Sequence, residues 1–199
     1  MELDLAHVTE LLGALTGLVC VALLTRQKVA SWPLGIVNNA LFCVLFWRAK
    51  LYADALLQLV FAALAAYGWW QWAAPHRGDR VRVRRTTVRE WSVLSVLTGV
   101  GTLIGAHWLR DHTDSPAPVW DASVLTLSLA ATYGQTRKLL ESWLIWIAVD
   151  LLSIPLYAWR GLYPTTLLYV LYLLLCVGGL RSWRHQLESA AVPRYAGER

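Results

Sequence analysis

The stretch Trp143–Trp183, WLIWIAVDLLSIPLYAWRGLYPTTLLYVLYLLLCVGGLRSW, is a largely apolar run with one carboxylate inside it, Asp150. Displaced by 111 residues, it lies without a gap over Trp32–Trp72, WPLGIVNNALFCVLFWRAKLYADALLQLVFAALAAYGWWQW. Trp32 meets Trp143, Ile36 meets Ile147, Leu51-Tyr52 meets Leu162-Tyr163, Gly68 meets Gly179, and Trp72 meets Trp183. Identity is low, but a shared Leu-Tyr turn and a shared terminal tryptophan favour duplication over a chance match of apolar runs. Asn39 falls opposite Asp150, so both copies place a polar group at the same depth.

The rest of the chain is of the same character. Of its 199 residues 57% are hydrophobic and 16% charged, where a soluble domain carries about 25% charged residues. A helix needs about 20 residues to cross the hydrocarbon of a bilayer. Spans are expected near 5–25, 32–48, 54–74, 91–110, 120–137, 141–159 and 164–183, separated by polar breaks such as RQKVAS, DHTDSPAP and TRKLLE. The fold class is therefore all-α integral membrane, with seven transmembrane helices. Three helices form one copy of the repeat, and the fourth separates the copies. Corresponding helices lie four spans apart, so both copies face the same way, a 3+1+3 parallel repeat of the transporter type with a cavity on the pseudo-twofold axis. The parts are a first bundle at 1–74, a basic loop with the linker helix at 75–119, a second bundle at 120–183 and a tail at 184–199.

Orientation follows from lysine and arginine. With the N-terminus outside, 14 of these residues face the cytoplasm, among them six arginines from Arg77 to Arg89 and the pair Arg137-Lys138. Only Arg48, Lys50, Arg110 and Arg160 face outward. N-out and C-in is the expected topology. The run RVRVRR reads as its signal, and the net charge of +5 as loops facing the cytoplasm, with no nucleic-acid partner. The acidic opening MELDLAHVTE lacks the basic region of a signal peptide, so the first span is expected to be retained. Cys20, Cys43 and Cys176 sit in apolar runs and form no disulfide framework or metal motif.

Polar groups at membrane depth mark candidate sites, because a charge there costs about 2.5–3.5 kcal/mol on insertion scales. Trp143, Trp146 and Asp150 are spaced i, i+3, i+7 and share one helical face. No arginine is expected at that depth, so a water-filled cavity is expected beside Asp150. Asn38 and Asn39 in the second span and Gln58 in the third are further candidates, with hydrogen bonding between helices as the alternative. Glu10 and a stripe of Asp121, Ser128, Thr132 and Gln135 complete the set. Of the 12 tryptophans, Trp32, Trp69, Trp70, Trp72, Trp91 and Trp183 are expected in an inner interfacial belt, and Trp47, Trp108, Trp120 and Trp159 in an outer one. Gly13/Gly17 and Gly101/Gly105 have the spacing of close helix contacts. Indole faces beside a carboxylate suit a flat cationic ring, at about 1–2 kcal/mol per desolvated cation–π contact.

The segments ELLGALTGLVC (Glu10–Cys20), LGIVN (Leu34–Asn38), LYADALLQ (Leu51–Gln58), YGWWQW (Tyr67–Trp72), WDASVLTLSLA (Trp120–Ala130), TRKLLESWLIW (Thr136–Trp146) and GLYPTTLLYVLYL (Gly161–Leu173) resemble the PnuC vitamin transporters. The resemblance covers about residues 8–185, and its most specific element is the WxxW pair of Trp143 and Trp146. It implies a SWEET-like fold, a homotrimer and residence in a bacterial inner membrane. It further implies uptake of nicotinamide riboside by facilitated diffusion, with intracellular phosphorylation as the trap. Trp143 and Trp146 become ring-stacking candidates, Asn38 and Gln58 hydrogen-bonding candidates, and Tyr169 a wall candidate. Asp150 departs from the family, some of whose members carry asparagine there. The carboxylate favours a cation but does not separate nicotinamide riboside from thiamine. Riboflavin, neutral and larger, is the third family substrate.

There is no GxxxxGK[ST] loop for ATP, no HExxH cluster among the five histidines and no metal or cofactor motif. A passive carrier is the default, with proton coupling through Asp150 or Glu10 as the variant. The readings from other classes are a membrane enzyme or a structural subunit. The first lacks clustered catalytic groups, and the second has no use for an aromatic–carboxylate face.

Overall fold

The computed structural model describes residues 2–48, 52–73 and 82–191, with side chains described from 12, to 48, 54–73 and 82–190. The Glu10 side chain, most of the loop between the third and fourth helices and the tail beyond 191 lie outside these. Seven helices follow one another: α1 Glu2–Thr25, α2 Ser31–Arg48, α3 Tyr52–Ala73, α4 Val88–His112, α5 Pro118–Thr136, α6 Ser142–Trp159 and α7 Tyr163–Ala191. Each coincides with an expected run, and α7 continues furthest beyond its expected end. By length and composition α4, α6 and Tyr163–Ala190 of α7 are each sufficient to cross a membrane.

Local chemistry sets the starts. Thr87 caps α4 in a capping box: its side chain accepts from the Glu90 amide, and the Glu90 carboxylate accepts from the Thr87 backbone. Pro118 opens α5, where its missing N–H has no helical partner to lose. The α1–α2 and α5–α6 turns each place a non-glycine residue in the left-handed region, Gln27 at φ 54° and Lys138 at φ 51°. They are 111 residues apart, the displacement found in the sequence.

Six helices close a ring. α1 packs on α2, α2 on α3, α3 on α5, α5 on α6, α6 on α7 and α7 back on α1, while α4 packs on α5 alone among the described residues. The small residues expected to allow close approach do so. A Cβ on Gly13 would stand 2.5 Å from the Phe42 ring, and one on Gly101 3.1 Å from Thr126 on α5.

The core gathers at the arginine-rich end of the ring, around Leu140, Trp143, Cys176 and Trp183. Here the belt expectation needs correction. Trp32 is 5% exposed and Trp183 fully buried, and Trp72 packs between them, so these three are core residues rather than interfacial anchors. The reason is a packing unit that occurs twice. The Trp143 ring covers Gly179, where a Cβ would stand 2.6 Å away, and meets Trp183 edge-on at 5.4 Å. The Trp32 ring covers Gly68, at 2.5 Å, and meets Trp72 edge-on at 5.2 Å. Two indoles cannot both reach lipid when one lies flat on the helix that carries the other. The belt reading fits Trp69, Trp70, Trp91, Trp47, Trp108, Trp120 and Trp159, all exposed.

Overpacking of this kind costs about 1–3 kcal/mol. Gly68→Ala and Gly179→Ala are each expected to lower the thermal unfolding midpoint in detergent. Gly178→Ala, whose Cβ would meet nothing within 4 Å, is expected not to lower it.

Candidate functional site

Asp150 sits in the middle of α6, 2% exposed. Its Oδ2 has no hydrogen-bond partner, and among the described residues no cation lies within ion-pair distance. Its neighbours come from α7, where Tyr169, Tyr172 and Cys176 share one face at i, i+3, i+7. The Cys176 thiol and the two tyrosines lie within electrostatic reach of the carboxylate. The rings form a chain: Tyr157 of α6 lies 5.1 Å from Tyr169, and Tyr169 meets Tyr172 edge-on at 5.9 Å.

α1 and α2 reach the same region from the opposite side. The Tyr172 hydroxyl fills the space over Gly17, and the Asn38 amide lies beside it. Asn38 Nδ2 donates to the Gly13 carbonyl at 2.8 Å and to Thr16 Oγ1 at 2.7 Å, so that nitrogen is engaged in joining α2 to α1. Asn39 and Gln58 are half-buried and make no hydrogen bond among the described residues, and neither is joined to the Asp150 cluster by a hydrogen bond or ring contact.

The two tryptophans of the WxxW pair differ. Trp143 is 0% exposed, with its ring spent on Gly179 and Trp183. Trp146, one turn further along α6, is half-buried and packs against the Cys176-containing core. It has no ring-stacking partner and no hydrogen bond among the described residues. Of the pair, only Trp146 is not fully enclosed by the scaffold.

The stripe on α5 separates as well. Asp121 is an ion-pair residue, held by Arg160 Nη2 at 2.8 Å and by Ser115 Oγ at 2.6 Å. Ser128 and Thr132 return their hydroxyls to backbone carbonyls one turn back. Gln135 is 1% exposed with neither amide atom partnered. Ser153, one turn beyond Asp150, is fully buried with an unpartnered hydroxyl. Sequence reasoning passed over Ser153, Tyr172 and Cys176. Extending the Trp143–Trp146–Asp150 spacing by three would have found the first, and counting three and seven on from Tyr169 the other two.

The arginine-rich end of the ring is tied shut. Lys138 Nζ donates to Gln27 Oε1 at 3.0 Å and lies 4.4 Å over the Trp72 ring. Gln27 also bonds Gln186 of α7, and Trp72 Nε1 donates to the Thr136 carbonyl at 3.1 Å. The segment before α4 is laced into the same end. Arg84 exchanges backbone hydrogen bonds with Lys138 and Leu140, and Thr86 donates twice to Glu141 Oε2. The Arg84 side chain pairs with Glu90, whose hydrogen bonds raise its pKa above the ordinary arginine value. The described residues of this segment, through Arg84 and Thr86, are thus a structural strap. A cavity of about 710 Å3 lies elsewhere, between α3, α4 and α5, away from Asp150.

A ring of apolar helices around a buried acid, a half-buried indole and tyrosines suits a membrane transporter, and the comparisons assign that class. The nicotinamide mononucleotide transporter family pattern matches residues 7–185, and the chain belongs to that family. The chain is similar to the nicotinamide riboside transporter PnuC of Escherichia coli (strain K12), 28% identical over 87% of this chain and 84% of that one. It is similar to the riboflavin/roseoflavin transporter RibM of Streptomyces davaonensis, 30% identical over 88% of this chain and 84% of that one. The fold matches the crystal structure of the vitamin B3 transporter PnuC at a TM-score of 0.70, with 24% identity over 94% of this chain and 90% of that one. The family is one of membrane transporters, so the chain is not an enzyme.

The commitment of each indole can be measured. Trp143→Ala opens a cavity in a closed core and is expected to cost about 3–5 kcal/mol, read as a large fall in the detergent unfolding midpoint. Trp146→Ala is expected to fall much less.

Proposed function

We propose that the chain carries nicotinamide riboside, a flat pyridinium cation with a ribose, across the bacterial inner membrane by facilitated diffusion, and that intracellular phosphorylation retains the product. The observation that carries this reading is the buried Asp150 with its unpartnered Oδ2 and, among the described residues, no cation paired with it, one helical turn from the half-buried Trp146. A carboxylate so placed costs free energy until a cation arrives, and an indole face beside it adds cation–π attraction. In this reading Trp146 stacks on the ring, Asp150 balances its charge, and Tyr169 and Tyr172 form the wall. Asn38, Asn39 and Gln58 serve amide or ribose hydroxyls when the helices move. Trp143 holds α6 on α7, which keeps Trp146 in register. The similarity to a transporter named for riboflavin makes that vitamin the second reading, and Asp150 is what favours the cation.

We read all seven helices as crossings, N-terminus outside, in two equivalent bundles of a SWEET-like 3+1+3 repeat that assembles as a homotrimer. The neighbour pattern supports the repeat. Exchanging α1, α2 and α3 for α5, α6 and α7 leaves the six ring contacts unchanged, with α3–α5 becoming α7–α1, while the α4–α5 contact has no counterpart. The Trp–Gly–Trp unit and the left-handed turn residue also occur once in each half. Gln27 and Lys138 are equivalent by the 111-residue displacement, and they touch. Equivalent residues touch where the halves meet on their axis, so we assign this contact as the inner gate. Opening it separates Lys138 from Gln27 and Trp72 as the bundles rock.

Binding is read by quenching of tryptophan fluorescence in detergent, and transport by counterflow in proteoliposomes. Asp150→Asn is expected to weaken nicotinamide riboside roughly tenfold, about 1.4 kcal/mol, and riboflavin little. Trp146→Ala is expected to abolish the quenching with the fold intact. Equal losses for charged and neutral ligands in Asp150→Asn would assign Asp150 a structural role. Accumulation driven by an imposed pH gradient would replace facilitation by proton coupling.

The gate has its own test. Gln27→Glu converts the contact with Lys138 into a part-buried ion pair, taken at the upper end of the about 0.2–1 kcal/mol of exposed pairs. Counterflow is expected to slow by up to about fivefold, and high salt or Lys138→Gln is expected to restore it.

A further inference from the structure

α4 is the one described helix outside the ring, and its position leaves a cleft. It packs on α5, α3 packs on α5, and α3 and α4 do not touch each other. Between them lies the cavity of about 710 Å3. Its floor includes Leu129 and Tyr133 of α5, and its walls Val60 and Leu64 of α3 with Val93 and Leu97 of α4. Val60, Val93 and Leu97 are 48, 50 and 64% exposed. An apolar trough that no protein side chain fills must be filled in a bilayer, because an empty space forfeits the dispersion contacts of its lining.

One end of the trough is charged. Arg89 and Glu90 both line it directly. Arg137 stands one turn beyond Tyr133 on α5, and its Nη1 reaches the Tyr67 hydroxyl at 3.5 Å, one turn beyond Leu64 on α3. Arg89 and Arg137 therefore flank the same end of the trough. The carboxylate nearest to hand, Glu90, is already taken by both terminal nitrogens of Arg84 and by the Thr87 backbone. Among the described residues neither Arg89 nor Arg137 has an ion-pair partner.

We propose that this trough binds one anionic phospholipid from the leaflet at the arginine-rich end, with an acyl chain between α3 and α4 and its phosphate at Arg89 and Arg137. Charge decides between the two available occupants. A second copy seated in this trough with the same orientation would bring arginines, not an anion, to the level of Arg89 and Arg137. A phospholipid brings an apolar chain to the trough and a phosphate to the guanidinium groups, and basic recesses between transmembrane helices suit such headgroups. The bound lipid would brace α4 against the ring through its chain, without touching the Asp150 cluster.

The test places the photoreactive residue p-benzoylphenylalanine at Val93 in the full-length chain, in nanodiscs of phosphatidylglycerol or of phosphatidylcholine with the same acyl chains. The adducts are read by intact mass. The expected result is a one-lipid adduct at least fivefold more abundant with phosphatidylglycerol, a preference lost in Arg89→Gln/Arg137→Gln at unchanged circular dichroism. Leu97→Trp is expected to lower the adduct with either lipid. Equal labelling by the two lipids, a preference that survives the double substitution, or the absence of any lipid adduct would overturn the proposal. A product of twice the chain mass would assign the trough to contact between copies. Binding and counterflow do not enter this readout, so failure here leaves the substrate assignment standing and failure of that assignment leaves the lipid site standing.

Discussion

An indole lying flat on a glycine holds the ring of helices together. In a bilayer apolar side chains gain little by leaving lipid, so helices join through close packing and a few hydrogen bonds. Trp143 on Gly179 and Trp32 on Gly68 supply the largest contact area that a side chain can offer, against the one residue that lets it approach the backbone. The edge-on tryptophan one turn further on, Trp183 or Trp72, fixes the rotation of each helix about its axis. Trp72 and Trp183 then touch each other across the α3–α7 gap at 6.1 Å. Two local locks become one core, and the arginine-rich end is closed by it.

That lock divides the labour of the WxxW pair. Trp143 is immobilised so that Trp146, one turn along the same face, is presented at a fixed height. The hydrogen-bonded strap of Arg84, Thr86 and Glu141 fastens the start of α6 from outside, just before these indoles. The lock at the arginine-rich end and the proposed recognition site at mid-helix thus share one element, α6, with no loop between them.

The helices were legible because each is a long apolar run with a polar break, and bilayer length leaves few choices for such runs. The residues aligned by the 111-residue displacement, Trp32 with Trp143, Gly68 with Gly179 and Trp72 with Trp183, are the ones that pack, and that much was legible. Their purpose was not legible. A tryptophan near a helix end satisfies the rule for interfacial anchors whether it faces lipid or core, and only the glycine partner separates the two cases. Asn38 was legible as a polar group at depth, and the sequence left open whether it serves ligand or neighbour. Its bonds to Gly13 and Thr16 engage its nitrogen and leave its oxygen. Asp121 and Asp150 look alike in sequence, a carboxylate on an apolar helix. They differ because Arg160, from the far end of α6, reaches only the first.

The contrast between those two acids carries the argument about cargo further. Asp121 shows that this fold supplies an arginine, a serine hydroxyl and short distances where a carboxylate is wanted for structure. Around Asp150 the same fold supplies a thiol and two tyrosines, groups that tolerate a carboxylate without neutralising it. A permanent protein cation at that place would compete with any positively charged ligand and hold the site shut. A thiol does not compete. The fully buried Ser153, with its hydroxyl unpartnered, stands one turn further along α6. On the proposed reading, the unmet Asp150 Oδ2 and Ser153 hydroxyl, gathered at one level of α6, are groups whose partners come and go with the substrate.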